Sequence, residues 1–83
     1  MKDLESVLKK IKRARLEKGY SQDYVGEQLH MSQIAYHKIE NGKTELKVRT
    51  LFALASILEV ENSYLFGDII DTPKSIESQI NWE

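Results

Sequence analysis

The sequence predicts an all-α fold: five short helices in one compact domain, followed by a short C-terminal tail. Three observations carry this. Apolar residues recur at i, i+3, i+4 and i+7, and no stretch alternates strictly for long enough to make a strand. Serines and glycines punctuate the chain where helices would start and stop. Finally, 83 residues suffice for one small domain, which buries only about 60% of its unfolded surface. That size argues against a two-domain or deep-cleft enzyme.

Leu4, Val7, Leu8 and Ile11 set the stripe of a first helix over about residues 3–18, which Gly19 stops. Ser21 is a good N-cap for a second helix of about two turns, with Val25 and Leu29 as an apolar i,i+4 pair around Gly26. Ser32 caps a third, in which Tyr36 and Ile39 face inward and Asn41-Gly42 closes the end. A fourth helix is expected from about Lys47 to Leu58, with Val48, Leu51, Phe52, Ala55 and Leu58 buried, and a short fifth from Asn62 to Phe66. Two-turn helices are marginal alone. The second and third must therefore be held by the others, leaving the outer face of the third free. That arrangement is a helix-turn-helix, whose second helix enters the major groove of DNA.

Charge is distributed to match. The net charge is -1, yet residues 1–50 carry eleven Lys or Arg against seven acids (+4), and residues 51–83 carry one Lys against six acids (-5). A basic front and an acidic back suit a domain that turns one face to a polyanion, although chance clustering on a solvated surface would look the same. Other chemistry finds little support. There is no cysteine, and His30 and His37 make a poor metal site. No glycine-rich phosphate loop, nucleophile elbow or recognisable carboxylate pair appears, so neither an enzyme nor a cofactor is expected. The segment MKDLESVLKKIKRAR has no apolar core of a signal peptide, and no apolar run approaches the roughly 20 residues of a membrane span. The expected setting is cytoplasmic.

Four phrases in register, RLEKGYSQ (Arg15–Gln22), MSQ (Met31–Gln33), KIENGK (Lys38–Lys43) and TLFALASILEV (Thr50–Val60), resemble the Cro/C1-type (XRE-like) DNA-binding domains. The resemblance covers Ile11 to Phe66 and implies a lambda-repressor-like fold. Residues 1–66 would form the helix-turn-helix domain, with the motif at about 22–41, and 67–83 an acidic tail. Three positions depart from the usual pattern. Gly26 stands where alanine is commonest, keeping the space but giving up about 1 kcal/mol of helix propensity. His30 replaces the usual turn glycine and is expected at positive φ, where histidine is comparatively tolerated. Tyr36 replaces a β-branched core residue and needs either extra room or a hydroxyl that reaches the surface.

Roles follow from chemistry and from the resemblance. Gln33, Ile34, His37 and Lys38 lie opposite Tyr36 and Ile39 and are the base-reading candidates. Glutamine can read adenine, lysine can read guanine, and an apolar side chain can meet a thymine methyl. Ile34 could instead cap the local core, and His37 could simply be solvated. Helix N-termini attract anions, which makes Ser32 a phosphate candidate, and the resemblance adds Gln22, Asn41 and Lys43. Lys47 and Arg49 begin the fourth helix, where a cation opposes the dipole; a phosphate would offset that, and the alternative is that both simply face water. The resemblance also pairs Arg15 with Glu40 as a structural ion pair that orients the third helix. It places a dimer surface at Leu58 to Ser63, including Val60 and Asn62.

In the tail, Pro73 could start a helix with Ile76 and Ile80 on one face, as a contact for a second subunit or a protein partner, or the end could be frayed. With no sensor domain in view, regulation would come through concentration, proteolysis or a partner. The expectation is a dimeric repressor of a palindromic operator on double-stranded DNA. The alternatives are an antitoxin-type autoregulator that binds a protein through residues 67–83, and an interaction module of this fold with little DNA affinity.

Overall fold

Helical periodicity becomes five helices in the computed structural model, which describes residues 4–66: α1 (Leu4–Glu17), α2 (Gln22–Gln28), α3 (Gln33–Glu40), α4 (Val48–Leu58) and α5 (Asn62–Phe66). No strand occurs among the described residues. The expected tail helix and partner surface at 67–83 lie outside the described residues.

The caps are those the sequence signals. Ser21 Oγ accepts from Tyr24 N at 2.9 Å and Ser32 Oγ from Ala35 N at 3.1 Å, each relieving one unpaired amide of a first turn. The ends of α1 to α4 share one pattern. A residue with positive φ donates its N–H to the carbonyl three residues back, and its successor donates to the carbonyl five back, closing the last turn. After α1 these bonds are Gly19 N to Leu16 O and Tyr20 N to Arg15 O, both 3.0 Å; after α3 they are Gly42 N to Ile39 O and Lys43 N to Lys38 O. Glycine suits both sites, with φ +75° and +74°. The other two ends use side-chain-bearing residues, His30 (φ 61°) and Glu59 (φ 57°). His30 was expected there; Glu59 was not.

The core gathers Val7, Leu8, Ile11 and Ala14 of α1, Val25 of α2, Tyr36 of α3, Leu51, Leu54, Ala55 and Leu58 of α4, and Leu65 of α5. α2 packs chiefly on α3, and α1, α4 and α5 pack on one another. Gly26 marks where α2 and the turn come close. A Cβ there would stand 3.2 Å from the carbonyl oxygens of Met31 and Ser32 and 3.4 Å from Tyr36 Cβ, so a side chain at this point would need the turn to give by a few tenths of an ångström.

The predicted stripe of α4 needs correction. Val48 and Phe52 are 60% and 46% exposed, and Leu54, passed over in the sequence, is fully buried. The true stripe is Leu51, Leu54, Ala55 and Leu58, rotated from the expected one. Both stripes obey i, i+3, i+4 spacing, and α4 is apolar over most of its circumference, so periodicity could not choose between them. Leu4, at the start of α1, is likewise exposed.

Candidate nucleic-acid interface

The inner face of α3 is fixed by Tyr36, Ile39 and Glu40, all buried. Glu40 is the hub. Its carboxylate accepts a bidentate pair from Arg15, Nε to Oε2 and Nη2 to Oε1, both at 2.9 Å. It also accepts from Gln22 Nε2 at 3.1 Å and from the Tyr36 hydroxyl. Arg15 Nη1 donates to Tyr20 O at 2.9 Å, tying the cluster to the α1–α2 connection. One carboxylate on α3 thus joins α1, α2 and α3, with its lone pairs well supplied by donors.

The titration behaviour follows. Burial by itself would push Glu40 up, but hydrogen bonds from Arg15, Tyr36 and Gln22, with the charge of Arg15, hold it below the ordinary carboxylate range. The hydrogen bond to Glu40 raises the affinity of Arg15 for its proton, against some desolvation. Burial, then the bond to Glu40, pushes the Tyr36 phenol far above its usual value. The expected alternatives for Tyr36 were extra room or a hydroxyl at the surface. Its hydroxyl instead stays inside and finds a charged acceptor, and the ring is fully buried.

The outer arc is the converse. Gln33, Ile34, His37 and Lys38 are all exposed. Ile34 is 70% exposed and therefore does not cap the core. Among the described residues, no hydrogen bond or ion pair engages the side chains of Gln33 or Lys38. His37 differs: its Nδ1 lies 3.1 Å from Gln22 Oε1, and Asn41 Nδ2 lies 3.2 Å from each ring nitrogen.

Around the arc, Ser32 and Asn41 flank α3 as its caps, and Lys43, Lys47 and Arg49 are exposed in the turn after it and the first turn of α4. Lys47 is the N-cap of α4 and makes no side-chain cap bond, so the first amides of α4 lack a side-chain acceptor from that residue. Gln22, expected at phosphate, is half-buried and commits its amide nitrogen to Glu40 and its amide oxygen to His37. Leu58, expected on a dimer surface, is 1% exposed and belongs to the core, because it completes the inward stripe of α4. Val60 is half-buried and Asn62 exposed beside it. No group of three or more metal-ligating side chains gathers among the described residues, and no described helix is long and apolar enough to cross a membrane.

Two short helices at a fixed angle, with the second held from inside and bare outside, define a helix-turn-helix domain. The chain belongs to the helix-turn-helix family of Cro/C1 type, which it matches over residues 11–65. It is also 38% identical over 56 residues to the SPbeta prophage-derived uncharacterized HTH-type transcriptional regulator YonR of Bacillus subtilis (strain 168), covering 68% of this chain and 52% of that protein. The chain spans about half the length of that curated relative. No solved structure matches it.

Proposed function

We propose that the protein is a sequence-specific DNA-binding transcriptional regulator, without enzymatic activity, that represses from a palindromic operator as a dimer. The observation that carries this reading is the division of α3. Its inner face is locked to α1 and α2 through Glu40, while Gln33, Ile34, His37 and Lys38 form an exposed arc that suits base edges. Lys43, Lys47 and Arg49, with Ser32 and Asn41, supply phosphate contacts beside it. The relative's name, a transcriptional regulator, agrees.

A single eight-residue helix in one groove touches few bases, which favours two copies reading half-sites about one helical turn apart. The subunit contact then falls on Val60 and Asn62 at the α4–α5 connection rather than on Leu58.

Selection of binding sites from a random duplex pool tests the reading, followed by titration at two salt concentrations. The expected result is a palindrome. Gln33→Ala costs about 1–3 kcal/mol and relaxes one base position, whereas Lys43→Ala weakens all sites and lowers the salt slope by about 1. No enriched sequence, with feeble binding even at low salt, would sink the proposal and point to a protein partner instead.

A further inference from the structure

Gln22 stands between a buried carboxylate and an exposed imidazole, and the first dictates the chemistry of the second. An ionised Glu40 only accepts hydrogen bonds, so the end of the Gln22 amide that faces its Oε1 at 3.1 Å must be the NH2. The other end, Oε1, is thereby turned to His37 Nδ1, 3.1 Å away. A carbonyl oxygen cannot donate, so the ring nitrogen facing it carries the proton. Neutral imidazole has one N–H, which leaves Nε2 as an acceptor. Asn41 Nδ2 does not occupy that lone pair. It is equidistant, at 3.2 Å, from both ring nitrogens, a position over the ring face rather than along either in-plane direction, and it donates to His37 O at 2.8 Å.

We infer that Gln22 is a positioning residue that fixes His37 as a hydrogen-bond acceptor, so that this point of the arc selects a base presenting an amine in the major groove. Adenine offers N6–H2 and cytosine N4–H2; guanine and thymine present acceptors at the corresponding edge. The inference rests on the operator reading above and sharpens it from a set of side chains to a base class. It also gives Gln22 a role other than the phosphate contact expected from the sequence.

Two measurements on the full chain test it. The first is the tautomer of His37 from long-range proton–nitrogen NMR correlations at about pH 8, above the ordinary imidazole range, with His30 as internal control. The expected form is Nδ1–H in the wild type, moving toward Nε2–H in Gln22→Ala while His30 stays unchanged. A merely structural Gln22 would leave the His37 signature alone, and Nε2–H in the wild type overturns the inference.

The second compares sites selected by the wild type and by His37→Ala. The base whose preference is lost should be adenine or cytosine. Replacing it by the analogue lacking the amine, purine or pyrimidinone, should weaken the wild type about two- to tenfold, the range for one neutral hydrogen bond, and leave His37→Ala unaffected. Guanine or thymine at that position, or no lost preference, overturns the inference while leaving the operator reading intact. Failure to enrich any sequence instead removes the operator reading and the base class with it.

Discussion

Two ion pairs of nearly equal length hold different parts of this domain. Arg15–Glu40 closes at 2.9 Å with side chains 8% and 1% exposed, and Lys18–Glu59 closes at 2.8 Å with side chains 33% and 66% exposed. By distance they are indistinguishable. Glu40, however, is out of water and surrounded by donors from three helices, of which Arg15 alone is charged, so removing Arg15 strands a buried charge. Glu59 has water as a substitute partner, so removing Lys18 strands nothing. Burial and the number of donors, rather than contact distance, separate a structural clamp from a surface contact.

The comparison is most severely tested by Arg15→Met, which leaves Glu40 with neutral donors only. Urea unfolding should show a loss of about 3–5 kcal/mol, a large fraction of the stability of a domain this small. Tyr36→Phe keeps the ring in the core and deletes one charge-assisted bond, for an expected loss of about 1.5–3 kcal/mol. Acid should act on the same cluster. The folded-state pKa of Glu40 is depressed, so its contribution is fully present above the unfolded value of about 4.3 and is lost as pH falls through the lower folded value. Thermal midpoints followed from pH 7 downward should therefore hold until about pH 4 and then drop. Lys18→Met completes the series: the midpoint at pH 7 should not move measurably, and the acid limb attributed to Glu40 should survive. A loss as large as that of Tyr36→Phe would mean that the exposed pair had been misjudged.

What was legible in the sequence was what local chemistry writes down. Ser21 and Ser32 announce two helix starts, and Gly19 and Asn41-Gly42 two ends. His30 carries positive φ as its place in the turn implied. Arg15 and Glu40 meet as the family resemblance implied, although 25 residues separate them. What stayed hidden depends on how helices rotate against one another. Phe52 and Leu54 fit equally good stripes of a mostly apolar α4, and only packing against α1 and α5 decides between them. Leu58 was expected both in the buried stripe, from its spacing, and on a dimer surface, from the resemblance; the spacing was the better guide, since it lies in the core. The two amide ends of Gln22 were invisible for a related reason, since both partners sit on another helix. Glu59 could not be foreseen at positive φ, because glutamate has no special tolerance for it.

The hub at Glu40 also bears on how such a domain can change. Since α3 is fastened from its inner side and capped by Ser32, the side chains of Gln33, Ile34 and Lys38 carry little structural duty and are interchangeable, like type set in a fixed frame. Under the proposed operator reading, point mutations at those positions would retune what is read without threatening folding. His37 is the exception within the arc. Its link through Gln22 to the clamp means that replacing it alters an environment shared with Glu40, so substitution is freer at three of the four arc positions than at the fourth.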